Sequence, residues 1–266
     1  MHEAKEIFRK FTKYTPEAFG EQNMDFWTFI YDYGYFLAIG VFLISLIIQF
    51  WLRATFRRFN KVMTKSGISG KEAAEIILRK YNLNSPLSEA GYTVDVESVS
   101  GSLTDHYSPK EKKIRLSEAT YGSHSIAAIG VAAHECGHAI QDAKSFIPNK
   151  IRTALVPIAG IGSRFGPYIS ILGLLIWNRS QIGEVLFMTG ILFFSAAALF
   201  YAVTLPVEID ASRRAINVLK DERILTQEEI SGARKVLTAA AMTYVAAVAS
   251  SILQLLRLIA MRNRRK

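Results

Sequence analysis

The chain has 266 residues, half of them hydrophobic, and a formal net charge of +9 at pH 7. This length would allow one or two soluble domains. The apolar residues, however, are gathered in runs near 20 residues, which is the length that crosses a hydrocarbon core about 30 Å thick. The basic residues are not accompanied by base-reading or stacking side chains, so no nucleic acid is expected as a partner. The single cysteine, Cys136, excludes an intramolecular disulfide.

The apolar runs predict three or four membrane-spanning helices. They cover residues 36–52, 154–177, 185–205 and 238–256. The 185–205 run is the clearest span, because it contains no charged residue. The 154–177 run contains Arg164 and Pro167, so its span is expected to begin near Pro167 or to kink there.

The charges around the first run predict the orientation of the chain. Residues 1–33 are expected to form an external segment, and residues 34–52 a transmembrane anchor that is not a cleavable signal peptide. Six basic residues follow this anchor before the first acidic residue, Glu72. Cytoplasmic loops are enriched in Lys and Arg, so residues 53–150 are predicted to lie in the cytoplasm.

This cytoplasmic part is predicted to be a small α+β unit. Residues 69–82 have the N-cap and the periodic apolar face of a helix. Residues 92–118 alternate apolar and polar side chains in short strands, with the turn sequence SPKEKK between two of them. A helix containing HECGH follows, capped by Ser123 or Ser125. The expected fold class is therefore an α+β membrane protein, mostly helical, with a short β-sheet in its cytoplasmic unit.

The HECGH sequence at residues 134–138 predicts a metal site. Four residues advance about 400° along an α-helix, so His134 and His138 lie one above the other and can bind one zinc ion. Glu135 lies about 100° round the helix, where it can act as a general base on a water molecule beside the metal. Cys136 points away and is expected to be a small buried packing residue. The alternative is a helix whose histidines only hydrogen-bond to carbonyl groups.

Small residues line this helix, and they predict that a second helix approaches it closely. They are Ala127, Ala128, Gly130, Ala132, Ala133, Gly137 and Ala139. Such an approach could bring a third ligand. Glu208 is the first candidate because it directly follows the 185–205 span, and Ala211 and Ala215 share its helical face. Asp210 is the second candidate.

The remaining segments are assigned in order. Residues 154–205 are expected to hold two transmembrane helices, residues 206–236 the helix with the third ligand, and residues 238–260 a C-terminal hydrophobic helix. If residues 238–256 crossed the membrane, the basic tail would lie outside, against the positive-inside rule. That segment is therefore predicted to pack on the site or to be re-entrant.

Four separated motifs resemble the YugP-type membrane zinc metallopeptidases, a bacterial family. The motifs are LTDHYSPKEKKIRLSEATY, SIAAIGVAAHECGHAIQ, LPVEIDASRRA and GARKVLTAAAMTYVAA, and the likeness runs from about residue 36 to residue 260. The resemblance implies zinc as the cofactor and Glu135 as the general base. It also implies His134, His138 and Glu208 as the zinc ligands.

A more distant resemblance is to the HtpX-like and CAAX-processing membrane proteases, of the gluzincin type. Those families have an aspartate at the end of a Glu-x-x-x-Asp pattern, where this sequence has Ser212. If that aspartate orients a metal-ligating histidine, the role is absent here or has moved to Asp210.

Three further residues are candidates for contact with substrate. His106 could assist the developing oxyanion or be an ordinary strand-turn histidine. Tyr107 could donate its phenol to the same oxygen or only pack. Arg213 could bind a substrate carboxylate or be one of the positive-inside charges.

Together these features predict an integral membrane zinc endopeptidase with a zincin-like cytoplasmic unit. It is expected in the bacterial plasma membrane as a multi-pass protein, with its active site at the cytoplasmic face. The expected partners are membrane or misfolded protein substrates, the lipid bilayer, and other membrane proteins or copies of the chain. The alternative is an inactive metal-binding scaffold. A transporter or channel is disfavoured because the spans hold almost no acidic residues in mid-membrane.

Overall fold

The computed structural model describes residues 25–177 and 180–264. The described elements are α1 (Phe26–Phe59), α2 (Gly70–Lys80), β1 (Asp95–Val99), β2 (His106–Ser108), β3 (Lys113–Ser117), α3 (Glu118–Tyr121), α4 (Ile126–Ala143), α5 (Ile147–Ile176), α6 (Gln181–Asp221) and α7 (Gln227–Asn263). The expected fold class, a mostly helical α+β membrane protein with a short sheet, is confirmed. Most of the expected external segment, residues 1–24, lies outside the described residues.

In the part of the chain that the structure describes, four helices are long and apolar enough to cross a membrane: α1, α5, α6 and α7. Their lengths are 34, 30, 41 and 37 residues, against the roughly 20 that a span requires. Large apolar side chains such as Phe36, Phe42 and Ile47 project from α1 without protein cover. This exposure is expected where side chains face lipid instead of water.

Helices α5 and α6 form an antiparallel hairpin that is held together by glycines. A Cβ at Gly162 would lie 2.1 Å from the carbonyl oxygen of Phe193, and one at Gly173 would lie 2.4 Å from the backbone nitrogen of Phe187. Small residues of this kind let membrane helices approach closely. Although α5 contains Pro157 and Pro167, it is continuous from Ile147 to Ile176.

Helix α7 packs antiparallel to α1. Arg264 follows the end of α7 and pairs with Asp32 near the start of α1, with 2.7 Å between Nη1 and Oδ1. At the opposite end, Gly232 of α7 contacts the ring of Phe59 in α1. The end of α7 and the start of α1 therefore lie on the same side of the protein.

Of the two alternatives for residues 238–256, packing on the site or a re-entrant segment, the continuous helix α7 disagrees with the second. A re-entrant segment must interrupt its helix to return to the same side, whereas α7 is unbroken from Gln227 to Asn263. The basic end that argued against a span is accommodated by α1. In addition to the pair with Asp32, the guanidinium of Arg264 lies 4.2 Å from the centre of the Tyr31 ring, in the geometry of a cation–π contact.

The segment expected to carry the third ligand, residues 206–236, is divided between two helices. Helix α6 continues through Pro206 to Asp221, so Glu208 lies on an extension of the preceding span. A proline removes one backbone hydrogen bond, but here it does not end the helix. The break comes later, where Arg223 adopts a φ of +53° and Thr226 caps α7 in a capping box with Glu229.

A small sheet covers one side of the unit that the sequence predicts to be cytoplasmic. Its strand order is β1-β3-β2, with β1 parallel and β2 antiparallel to β3. The predicted SPKEKK turn joins β2 to β3. Because β2 is last in the strand order, it is an edge strand of the described sheet. It packs beside α4, and this contact brings the strand edge to the HECGH helix.

Helix α4 is the centre of the core and contacts α2, α6 and α7. Of the two expected caps, Ser125 accepts the bond from the backbone N–H of Ala128 at 3.2 Å. Cys136 is fully buried, with its Sγ 3.7 Å from the carbonyl oxygen of Ala74. Its predicted role as a packing residue is confirmed.

The small residues of α4 allow two helices to approach it, as predicted. A Cβ at Gly137 would lie 2.6 Å from the carbonyl oxygen of Ala211 in α6, and one at Gly130 would lie 3.3 Å from the Cβ of Ala233 in α7. The crossing at Gly137 is the tighter of the two. It leaves no room for any side chain.

We predict that Gly137→Ala destabilises the protein and lowers its metal content. The added methyl group must push α4 and α6 apart, and overpacking of this kind typically costs about 1–3 kcal/mol. Thermal unfolding and metal analysis of detergent-purified protein measure both effects. The matched control is Gly160→Ala in α5, where a Cβ would meet nothing within 4 Å. A Gly137→Ala variant with the melting temperature and metal content of the unmodified chain would contradict this interpretation of the crossing.

Candidate metal centre

The crossing of α4 and α6 brings three predicted ligands together. Oε2 of Glu208 lies 3.2 Å from Nε2 of His134 and 3.5 Å from Nε2 of His138. The two imidazole rings are stacked edge to face with centroids 4.7 Å apart. All three candidate ligand atoms lie within 4.8 Å of one another. Glu208 is only 2% exposed, so its carboxylate is committed to this site.

These distances fit a zinc ion better than they fit simple hydrogen bonds. Two ligands bonded to one tetrahedral zinc ion at about 2.0–2.1 Å stand roughly 3.3 Å apart. The observed 3.2 and 3.5 Å lie on either side of that value. A hydrogen bond to a carboxylate is usually shorter, at about 2.7–2.9 Å. Two nitrogens and one carboxylate oxygen are also a ligand set that zinc uses in catalytic sites.

The protons of the two imidazoles are placed by the groups behind them. Gln141 donates from Nε2 to the carbonyl oxygen of Val207 at 2.8 Å and to Oδ2 of Asp210 at 2.9 Å. Because both partners can only accept, the Oε1 of Gln141 must face His138, whose Nδ1 lies 3.1 Å away. Nδ1 therefore carries the proton and donates it. The lone pair is left on Nε2, the atom beside Glu208.

Ser212 supports the other histidine directly. Its Oγ lies 3.1 Å from Nδ1 of His134, the position that would hold the proton if Nε2 binds metal. The orienting contact that an aspartate would make to a metal-ligating histidine is thus divided between two residues. Ser212 contacts one ring, and Asp210 contacts the other through Gln141. The Nε of Arg214 holds Asp210 in place, at 2.6 Å from Oδ2.

Glu135 lies beside the three ligands without being one of them. It is buried, and it lines the same cavity as His134 and Glu208. Burial raises the pKa of the Glu135 carboxyl to about 7; His134 opposes this shift, and the negative charge of Glu208 adds to it. The Glu135 carboxyl group is therefore largely removed from solvent beside the three candidate ligands.

A cavity of about 500 Å³ opens onto these residues. Strand β2 and the turn after it form one wall, and residues 152–157 of α5 form another. Tyr244 of α7 completes the lining. The predicted packing of the C-terminal helix on the site therefore occurs, although the helix is long enough to span.

The structure separates the two candidate substrate residues of β2. His106 is exposed and lines the cavity, with Nδ1 2.9 Å from the carbonyl oxygen of Thr104. The phenol of Tyr107 instead donates to Oδ2 of Asp142 at 2.7 Å, an oxygen that also accepts from Lys112 at 2.6 Å. The phenol of Tyr107 therefore ties the sheet to α4, and only the remainder of the residue lines the cavity.

Arg213 is not brought to the site. It is exposed and does not line the cavity, because five residues of helix place it about 140° round from Glu208. The cation that lies beside Glu208 is Arg152 of α5, whose Nη2 is 3.7 Å from Oε1 of that residue. Sequence reasoning missed Arg152 because no local motif marks it. For Tyr244, the only sign of a functional position in the sequence was that it lies in one of the four motifs that carry the family resemblance.

Comparisons with known proteins agree with this geometry. The family model described as "Putative neutral zinc metallopeptidase" matches residues 34–263. A relative from Bacillus subtilis (strain 168), named "Putative membrane protease YugP", is 40% identical over 224 residues, which is 84% of this chain and 94% of the relative. No solved structure matches the chain.

The family model covers the histidines, the glutamates and all four apolar helices from residue 34 onwards. Zinc, expected as the cofactor, agrees with the family description and with the three converging ligands. The chain belongs to the neutral zinc metallopeptidase family, and it is a membrane protein.

Proposed function

We propose that the chain is an integral membrane zinc endopeptidase of the gluzincin type that hydrolyses peptide bonds of membrane or misfolded proteins. The observation that carries the proposal is the convergence of one buried carboxylate on two imidazole nitrogens, at 3.2 and 3.5 Å, with a second buried carboxylate beside them. Bound zinc would supply a Lewis acid that polarises a substrate carbonyl and makes a water molecule more acidic.

The protein groups have separate tasks in this proposal. His134, His138 and Glu208 hold the metal. Glu135 accepts a proton from the attacking water and returns it to the leaving amine. Ser212 and Gln141 keep both imidazoles in the tautomer that leaves Nε2 free.

The lining of the cavity supports a peptide as substrate. Within the described residues, the outer edge of β2 has no strand partner, and its backbone donors and acceptors could pair with an extended peptide. Arg152 and His106 line the same space. Their side chains can place positive charge or a hydrogen-bond donor beside the carbonyl oxygen of the substrate, where negative charge develops in the transition state.

We also propose that the active site faces the cytoplasm. The metal ligands and the six basic residues after the first apolar run belong to the same end of the bundle, since Phe56 of α1 and His134 of α4 line one cavity. The positive-inside rule places that end in the cytoplasm.

Glu135→Gln is expected to abolish peptide hydrolysis while leaving zinc near one equivalent per chain. The substitution removes the base and spares the ligands, and losing a general base typically costs about 10²–10⁴ in rate. Cleavage assays and metal analysis of purified protein test this. Activity within a few-fold of the unmodified chain would contradict the proposal. A chain that binds zinc but never cleaves peptides would favour the inactive scaffold.

Glu208→Ala should lose both metal and activity, whereas Asp210→Ala should lose less metal. Asp210 acts on the metal only through Gln141 and His138, and such supporting contacts usually contribute about 10- to 100-fold. Glu208→Asp, which is one methylene shorter, should keep some metal with impaired turnover. Thermal melts must show that each variant is folded. If folded Glu208→Ala keeps full zinc and Asp210→Ala loses it, the ligand assignment is wrong.

The orientation can be tested by labelling single cysteines in a Cys136→Ala background. Lys110→Cys, beside the cavity, should be protected from an impermeant reagent in intact cells, whereas Ser180→Cys, at the start of α6, should react. Permeabilised cells provide the control, because both positions should then be labelled. Labelling of residue 110 in intact cells would reverse the proposed orientation.

A further inference from the structure

A second cavity, of about 210 Å³, adjoins the catalytic residues. Most of its apolar lining comes from the long apolar helices α1 and α7: Leu52, Phe56, Val236, Leu237, Ala240 and Ala241. It also contacts His134, Glu135 and Glu208, which line the larger cavity as well. The two spaces therefore meet at the reacting centre. No step of the proposed mechanism uses the apolar one, which we call the α1–α7 pocket.

The size and lining of the α1–α7 pocket suit one apolar side chain. A cavity of about 150 Å³ lined by Leu, Ile and Phe is large enough to bind benzene, and this pocket is larger. Two alanines, Ala240 and Ala241, leave the space open on the side of α7. Larger residues at either position would fill it.

The loop between β1 and β2 adds an independent observation. Leu103 lines the pocket, is 43% exposed, and has a φ of +59°. Left-handed backbone is uncommon for a residue other than glycine, asparagine or aspartate. Backbone strain of this kind persists only where the surrounding structure holds the residue in place, and it is concentrated at functional sites. Here the strained residue places an apolar side chain at the pocket, where asparagine or glycine would fit the backbone at lower cost.

We propose that the α1–α7 pocket is a specificity subsite that receives a large apolar side chain, such as Leu or Phe, from a residue flanking the scissile bond. The substrate main chain would run along β2 in the larger cavity, and one side chain would pass Glu135 into the pocket. This inference rests on the proposed peptidase function and adds a substrate class. Preferred substrates carry apolar residues at the cleaved bond, as segments at a membrane boundary do.

The test compares peptides that differ by one residue next to the cleaved bond, using zinc-loaded full chain purified in detergent. The kcat/KM for Leu or Phe at the pocket position should exceed that for Ala by about 10- to 200-fold. Ala240→Phe and Ala241→Phe should each reduce this preference to a few-fold, while cleavage of the Ala peptide and the zinc content are retained. Leu103→Asn, which suits the same backbone, should weaken the preference.

The matched control is Val245→Phe. It places the same phenylalanine side chain on α7 at an exposed position that does not line the pocket, so the preference should be unchanged. Peptide binding to Glu135→Gln supplies a readout without hydrolysis. The Leu peptide should bind this variant at least about 10-fold more tightly than the Ala peptide, and Ala241→Phe should remove that difference.

Three results would overturn the subsite. The preference for the Leu or Phe peptide could survive in both Ala240→Phe and Ala241→Phe. Alternatively, these variants could cleave all peptides more slowly by the same factor while keeping their full zinc content. The variants could also change only the response to added phosphatidylglycerol vesicles, which would make the pocket a lipid site. Failure of the peptidase proposal is distinguishable, because the unmodified chain would then cleave no peptide although Glu135→Gln still binds the Leu peptide selectively.

Discussion

The backbone crossing of α4 and α6 is the constraint on which the metal centre depends. The carbonyl oxygen of Ala211 occupies the place where Gly137 would carry a side chain. This contact fixes the distance between the two helices and also their relative register. Glu208 stands one turn before Ala211 and therefore meets both histidines. Ser212, the next residue along, reaches the first of them.

The polar groups behind the ligands make this arrangement rigid. Gln141 links His138 to the backbone of α6 and to Asp210, and Asp210 is in turn held by Arg214. Each donor in this series of hydrogen bonds has an acceptor. The buried polar network therefore stabilises one geometry of the site instead of costing free energy. Because α6 is one continuous helix, Glu208 is attached directly to a helix that is long and apolar enough to cross a membrane. The candidate metal centre is thus built on the long apolar helices.

Local periodicity made part of the site predictable. His134, Glu135 and His138 follow from four-residue spacing on one helix, and Glu208 followed from its place after a span. The spacing of Gln141, three residues after His138, is also a helical neighbour relation and could have been used. The position of Arg213 follows from the same periodicity, because five residues of helix turn its side chain away from the face of Glu208.

Contacts between distant helices were not predictable. Arg152 and Tyr244 reach the cavity only because α5 and α7 pack as they do, and neither lies in a motif with metal-site chemistry. The positive-inside argument against a span at residues 238–256 has a similar weakness. A rule that counts basic residues takes no account of their partners, and Asp32 and Tyr31 of α1 meet Arg264 at the end of α7.

The separation of the ligands along the chain also orders events during synthesis. Glu208 follows His134 by 74 residues, and the α5–α6 hairpin lies between them. At about 5–20 residues per second, a ribosome needs roughly 4–15 s to add that stretch. Throughout this time the nascent chain contains His134, Glu135 and His138 but not Glu208. Glu208 is carried by the second helix of that hairpin, so the three candidate ligands come together only after the hairpin has been synthesised and has packed against α4.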